Sequence, residues 1–188
     1  RHSFPTRRSS DLFNNTVRQG NLGYAGTSTS GPDIGAWELN GIPLDLTGPP
    51  ISYSLLSNSS CTASAALTPV TITDGSGVNI IAGTRPRLYY KKSTHANTYI
   101  DNTSSSDGWK YVEASGSGGS PFSFIFDYTL LFGGSGVSSG DMIQYFIVAQ
   151  DNAGSPNVAI NSGSFNVTPL SVGLNSTHFP IGGSINSF

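Results

Sequence analysis

The sequence predicts an all-β fold, in which about seven short antiparallel strands form two packed layers. Three observations carry this. Residues 141–150 alternate with a period of two, placing Ile143, Tyr145, Ile147 and Ala149 on one side. Met142, Gln144, Phe146, Val148 and Gln150 fall on the other, so both sides carry apolar residues, as in a central strand covered on two faces. Further short alternating runs recur, separated by Gly, Ser, Asn and Pro clusters. No segment shows a helical period.

Taken in order, the predicted strands are 51–56, 66–73, 86–92, 109–114, 122–130, 141–150 and 164–168. In the second, Val70 and Ile72 face inward and Thr71 and Thr73 outward. In the third, Leu88 and Tyr90 oppose Arg87, Tyr89 and Lys91. The fifth places Phe122, Phe124, Phe126 and Tyr128 on one aromatic face. The sixth ends at Asp151-Asn152-Ala153-Gly154, where side-chain acceptors and glycine favour a turn. The seventh turns Phe165 and Val167 inward. The expected core is therefore Val70, Ile72, Leu88, Tyr90, Phe124, Phe126, Ile143, Tyr145, Ile147, Phe165 and Val167. At roughly 1.5–3 kcal/mol per buried large side chain, such a set sustains a sandwich without a disulfide.

Composition narrows the function. Of 188 residues only 11% are charged, against about 25% in average soluble domains. The net charge is -2, and basic pairs occur only at Arg7-Arg8 and Lys91-Lys92, which argues against nucleic acid as a partner. No apolar run reaches the roughly 20 residues of a bilayer span, so no membrane insertion is expected. Cys61 is the single cysteine, which excludes an intrachain disulfide and a cysteine-based zinc site.

Residues 2–12, H-S-F-P-T-R-R-S-S-D-L, match the translation of a common sequencing-adapter oligonucleotide, so 1–12 are set aside as an adapter artefact. The expected organisation is then residues 13–41 as a first segment, 42–50 as a proline-bearing linker, 51–168 as the sandwich, and 169–188 as a linker toward a missing downstream domain. Both ends are expected to be truncated.

Two resemblances attach to these segments. Pro32-Asp33-Ile34-Gly35-Ala36-Trp37-Glu38 resembles the closing motif of right-handed parallel β-helices in large secreted bacterial proteins, which makes 13–41 a β-helix remnant. Pro49-Pro50-Ile51-Ser52-Tyr53, Val70 to Val78, Pro86 to Lys91 and Gly140 to Asn157 resemble an immunoglobulin-like, or fibronectin-III-like, module of large secreted bacterial surface proteins. The resemblance implies an Ig-like antiparallel β-sandwich, located extracellularly or on the bacterial cell surface. It implies a non-catalytic spacer or adhesion module whose partners are the flanking domains of the same polypeptide. It supplies no catalytic residues.

Candidate sites are few. Asp74 and Asp151 end strands that meet at one pole of such a sandwich. With Asn152 they offer oxygen ligands to calcium, the only cofactor the chain suggests. The alternative is that both aspartates accept hydrogen bonds from their own turns. Trp109, Tyr89, Tyr111 and Tyr99, with Arg87 and Lys92 nearby, could stack on sugar rings if exposed. That suggests a second function, a carbohydrate-binding module accompanying a β-helix polysaccharide-degrading enzyme, with surface glycans or host matrix polymers as partners. The alternative is cross-strand packing on a sheet face. Gly136-Val137-Ser138-Ser139-Gly140 fits G-x-S-x-G, but a strand follows where the hydrolase elbow needs a helix. No enzymatic constellation is expected.

Overall fold

The computed structural model describes residues 12–13, 16–17, 44–59, 62–116 and 118–188. The chain divides into two units, Arg1–Leu44 and Asp45–Phe188. In the first, β1 (Leu12–Phe13) pairs antiparallel with β2 (Thr16–Val17). The P-D-I-G-A-W-E segment and Cys61 lie outside the described residues. No described helix is long and apolar enough to cross a membrane.

The second unit is a two-sheet antiparallel β-sandwich. One sheet holds β3 (Ile51–Tyr53), β4 (Ala66–Ile72) and β7 (Phe122–Ile125), in the order β3-β4-β7. The other holds β5 (Arg87–Lys92), β6 (Lys110–Glu113), β8 (Ile143–Gln150), β9 (Val158–Ile160) and β10 (Asn186–Ser187). Its order is β10-β8-β5-β6, with β9 also against β8. Pro69 stands inside the middle strand β4, where its missing N–H would break a ladder. The register of β4 on β7 shifts between Leu67 and Val70, so proline sits at the irregularity that tolerates it.

Register sorts the core. Leu88 opposes Ile147 and Tyr90 opposes Tyr145, so their side chains share the inner face of the larger sheet. They meet Leu67, Val70, Ile72, Phe122 and Phe124 from the smaller sheet, all buried. The edge-to-face ring pairs Tyr90–Phe126 at 5.2 Å and Phe126–Tyr145 at 5.9 Å continue the slab. The predicted strand 122–130 ends early, because the Asp127 carboxylate accepts from the backbone N–H of Thr129 and caps a 3-10 turn over Tyr128–Leu130.

The outer face of the larger sheet is equally apolar. Tyr89 opposes Phe146 in register and stacks on it at 5.2 Å and 8°, while Trp109 meets Phe146 edge-on at 4.8 Å. Residues 169–188, expected as a linker, supply the cover instead. Val172, Leu174, Phe179 and Ile181 are buried against Tyr89, Trp109, Phe146 and Val148. The Tyr89 hydroxyl donates to the Val172 carbonyl at 2.8 Å and accepts from the Leu174 N–H at 3.1 Å. Gln150 Oε1 accepts from the Val172 N–H, and Asn97 Oδ1 accepts from both Trp109 Nε1 and the Ile181 N–H.

The predicted strand at 164–168 is absent. Val167 is 50% exposed, Phe165 only partly buried, and Ser164 makes an isolated bridge to Gly182. The last edge strand is split. β9 runs along the far end of β8, opposing Gln150 to Val148, and β10 resumes opposite Tyr145 and Gln144. Between them residues 162–185 leave the edge and fold over the outer face. Asn161 makes the break: its Oδ1 accepts the Ile147 N–H at 2.6 Å where a ladder carbonyl would serve. Asn186 N–H to Ser162 Oγ, and the paired Ser164–Gly182 backbone bonds, close the base of the excursion.

If the excursion is core and not linker, Phe179→Ala should cost about 3–5 kcal/mol of unfolding free energy, the range for a buried aromatic. Chemical denaturation of the full chain reads this; a cost below about 1 kcal/mol would make the segment peripheral.

Candidate functional site

Two places collect functional side chains. The first is the pole where β8 ends. Asp74 follows β4, Asp151 follows β8, and both turn as the sequence foretells. The Asp74 carboxylate accepts the Ser76 N–H at 2.7 Å. Asp151 is fully buried; its Oδ1 accepts from the Ala153 and Asn157 N–H groups and its Oδ2 from Asn157 Nδ2 at 2.7 Å. Asp45, which the sequence did not single out, joins them. One carboxylate oxygen each from Asp45, Asp74 and Asp151 lie within 4.8 Å of one another. Asn152 beside them is exposed and donates its Nδ2 to the Val78 carbonyl at 3.3 Å.

Asp45 belongs to the proline-bearing segment ahead of β3, which runs against β9. Its Oδ2 accepts from Ser76 Oγ at 2.6 Å, and its carbonyl accepts from Asn157 Nδ2 at 3.1 Å. Gly48 makes the close approach possible, since a Cβ there would stand 2.9 Å from the Val158 carbonyl carbon. The Ser76 hydroxyl, then the Thr47 backbone N–H, hold the Asp45 carboxyl below its usual range. Among the described ion pairs none involves these three aspartates. The arrangement docks the entering chain on the pole through hydrogen bonds, and its oxygens are also the hard donors that calcium takes.

The second place is the aromatic set expected to be open to sugars. The structure removes that premise. Trp109 and Tyr89 are fully buried beneath the excursion. Tyr111 is half-buried, with the Arg87 guanidinium 4.1 Å above its ring. Arg87 is itself largely buried, pairing with Glu113 Oε1 at 3.1 Å, and Lys92 pairs with Asp141 at 2.8 Å. Both faces of this sheet are inside, as the two-sided apolar pattern of 141–150 implies, and the rings on β5 and β6 are inside with them.

Two buried lysines went unforeseen. Lys91 Nζ donates to the carbonyls of Lys92, Ser93 and His95 and lies 5.3 Å from the Trp109 ring. Lys110 Nζ donates to the Asp101 carbonyl at 3.0 Å and to Ser106 Oγ at 2.7 Å. Burial lowers the pKa of both. They fasten the long loop between β5 and β6, where Gly108 sits at φ +109 with no room for a Cβ beside the Thr98 carbonyl. No spacing or motif signals buried ammonium groups that bond to loop carbonyls.

The serine motif gathers no partners. The Ser138 N–H donates to Asp141, in a turn that leads into a strand. His178 closes a capping box, its Nδ1 accepting the Asn175 N–H. His95 lies near Asp107, with 4.0 Å between Nδ1 and Oδ1.

No family model matches the chain, and no curated protein or solved structure matches it either.

Calcium at 10 mM is expected to raise the melting temperature of the full chain by about 3–5 °C, as for a millimolar site, and to leave Asp74→Asn unmoved. An unshifted wild-type melt removes calcium from this pole. Burial, opposed by Asp107 and reinforced by Lys92 and Lys91, lowers the His95 pKa from 6.5. The unfolded chain therefore binds the proton first, and stability should fall as pH drops below 6.5 toward the folded value. Denaturation midpoints between pH 7 and 5 read the slope, and His95→Gln should flatten it.

Proposed function

We propose that this chain carries a non-catalytic spacer or adhesion module of a multidomain secreted or cell-surface bacterial protein. The observation that carries the reading is the placement of Asp45 and Phe188 on the Asp45–Phe188 unit. Asp45 lies with Asp74 and Asp151 at the far end of β8. Phe188 exchanges both backbone hydrogen bonds with Ile143, the first residue of β8. Asp45 and Phe188 therefore stand at opposite poles, about 25 Å apart along an eight-residue strand. A domain with its ends at opposite poles adds length to a polypeptide; one with adjacent ends adds only a lateral bulge.

Surface chemistry supports the same reading. The outer face of the small sheet displays Ser52, Thr68, Thr71 and Ser123, and Thr68 Oγ1 and Ser123 Oγ are 2.7 Å apart. Such a neutral, hydroxyl-bearing face suits an extracellular setting, where a module must stay solvated without attracting polyelectrolytes. The carbohydrate-binding reading loses Trp109 and Tyr89 to the core.

Spin labels at positions 45 and 187 are expected to give one narrow distance distribution near 25–30 Å. A broad distribution, or one below about 15 Å, would remove the spacer reading. A glycan array should stay silent; binding that Tyr111→Ala abolishes would restore the carbohydrate reading.

A further inference from the structure

We infer that Tyr53 is a mechanical clasp between the entering and leaving strands, and that the unit resists tension applied through its ends. This rests on the spacer reading for its biological setting. The geometry itself does not.

The entering strand β3 is the edge of the small sheet, and the leaving strand β10 is at the edge of the large one. They belong to different sheets and share no ladder. Tyr53, on β3, joins them. Its hydroxyl oxygen accepts from Asn186 Nδ2, on β10, at 2.8 Å. It accepts a second bond from Asn161 Nδ2, at the break that follows β9. The ring packs against Tyr145, with centroids 6.2 Å apart. The Tyr145 hydroxyl accepts from the Leu56 N–H at 3.2 Å, so the segment after β3 is tied to β8 as well.

Consider a pull on the two ends. Ile51 opposes Ile72 and Tyr53 opposes Val70, so β3 runs inward from the entry pole. Asn186 opposes Tyr145 and Ser187 opposes Gln144, so β10 runs outward to the exit pole. The pull lies along both strands. Each must slide past its neighbour, which strains its ladder bonds together and not one after another. The Tyr53–Asn186 bond is strained directly, because its two partners ride on strands drawn in opposite directions. At the entry pole the Asp45 bonds to Ser76 and Asn157 hold the chain down before β3 is reached.

The test is single-molecule extension of the full chain held by its two ends. Rupture of the Asp45–Phe188 unit is recognised by a contour gain of about 50 nm. Tyr90→Phe is the comparison, since it removes another part-buried hydroxyl bond, to the Asp127 carbonyl at 2.6 Å, outside the end-to-end path. Tyr53→Phe and Asn186→Ala should each lower the rupture force at least twice as much as Tyr90→Phe does. Equilibrium denaturation of the same variants shows whether their static costs are alike, because forced unfolding follows the unfolding barrier and not the equilibrium. Equal drops for all three variants, or no drop for Tyr53→Phe, would overturn the clasp. The spacer reading stands or falls separately, on the distance between positions 45 and 187.

Discussion

The constraint on which this structure depends is that its central sheet is apolar on both faces. β8 has buried residues at every position except Gln144, so neither of its faces can meet water. The inner face is satisfied by the smaller sheet. The outer one, with Tyr89, Phe146 and Val148, needs a cover that a two-layer sandwich does not provide. The chain supplies it by interrupting its last edge strand at Asn161, crossing the face and returning at Asn186. The cover is anchored by polar groups placed among the apolar ones. Tyr89 and Gln150 satisfy backbone groups of the crossing segment that would otherwise be buried without partners, each costing on the order of 1–3 kcal/mol.

That solution decides what the surface can be used for. Covering the outer face consumes the aromatic residues that a sugar-binding platform would display. Trp109 turns its indole N–H to Asn97, not to a ligand, and Asn97 in turn holds the backbone of Ile181. The buried lysines follow from the same demand. The β5–β6 loop must lie close to Trp109, and Lys91 and Lys110 satisfy its inward-facing carbonyls where no ladder can reach. A buried ammonium with several oxygen partners and a ring beneath it is tolerable; one without them is not.

The two-layer fold was legible because period-2 alternation in 66–73, 86–92 and 141–150 is strong and local. Nine of the eleven expected core residues, Val70 and Tyr145 among them, are buried; Phe165 and Val167 are the exceptions. The cause is the shape of the last strand. The last strand is only Val158–Ile160, too short to show a period, and its continuation Asn186–Ser187 is polar. The alternation at 164–168 mimics the strand that is missing from the pattern. The crossing segment was misread because glycine, serine and proline separate its apolar residues, so Val172, Leu174, Phe179 and Ile181 show no period at all. Their burial is set by the sheet beneath them. At the carboxylate pole the pairing of Asp74 with Asp151 could be read from strand ends. Asp45 could not, because its place depends on Gly48 letting the linker lie against β9.

The split edge also explains how Tyr53 comes to join strands of two different sheets. Had the last strand run unbroken along β8, the edge would have been filled by ladder bonds alone. The break instead leaves Asn161 and Asn186 at the margins of a gap, each with a side-chain amide to spare. Tyr53 reaches both from the opposite sheet. A detour made to cover an apolar face thus leaves behind two donors within reach of Tyr53 on the entering strand. The cover over the core and the mechanical linkage are two consequences of one interruption. Lengthening β9 at the expense of the excursion would close the gap, expose Tyr89 and Phe146, and leave Tyr53 without its second anchor.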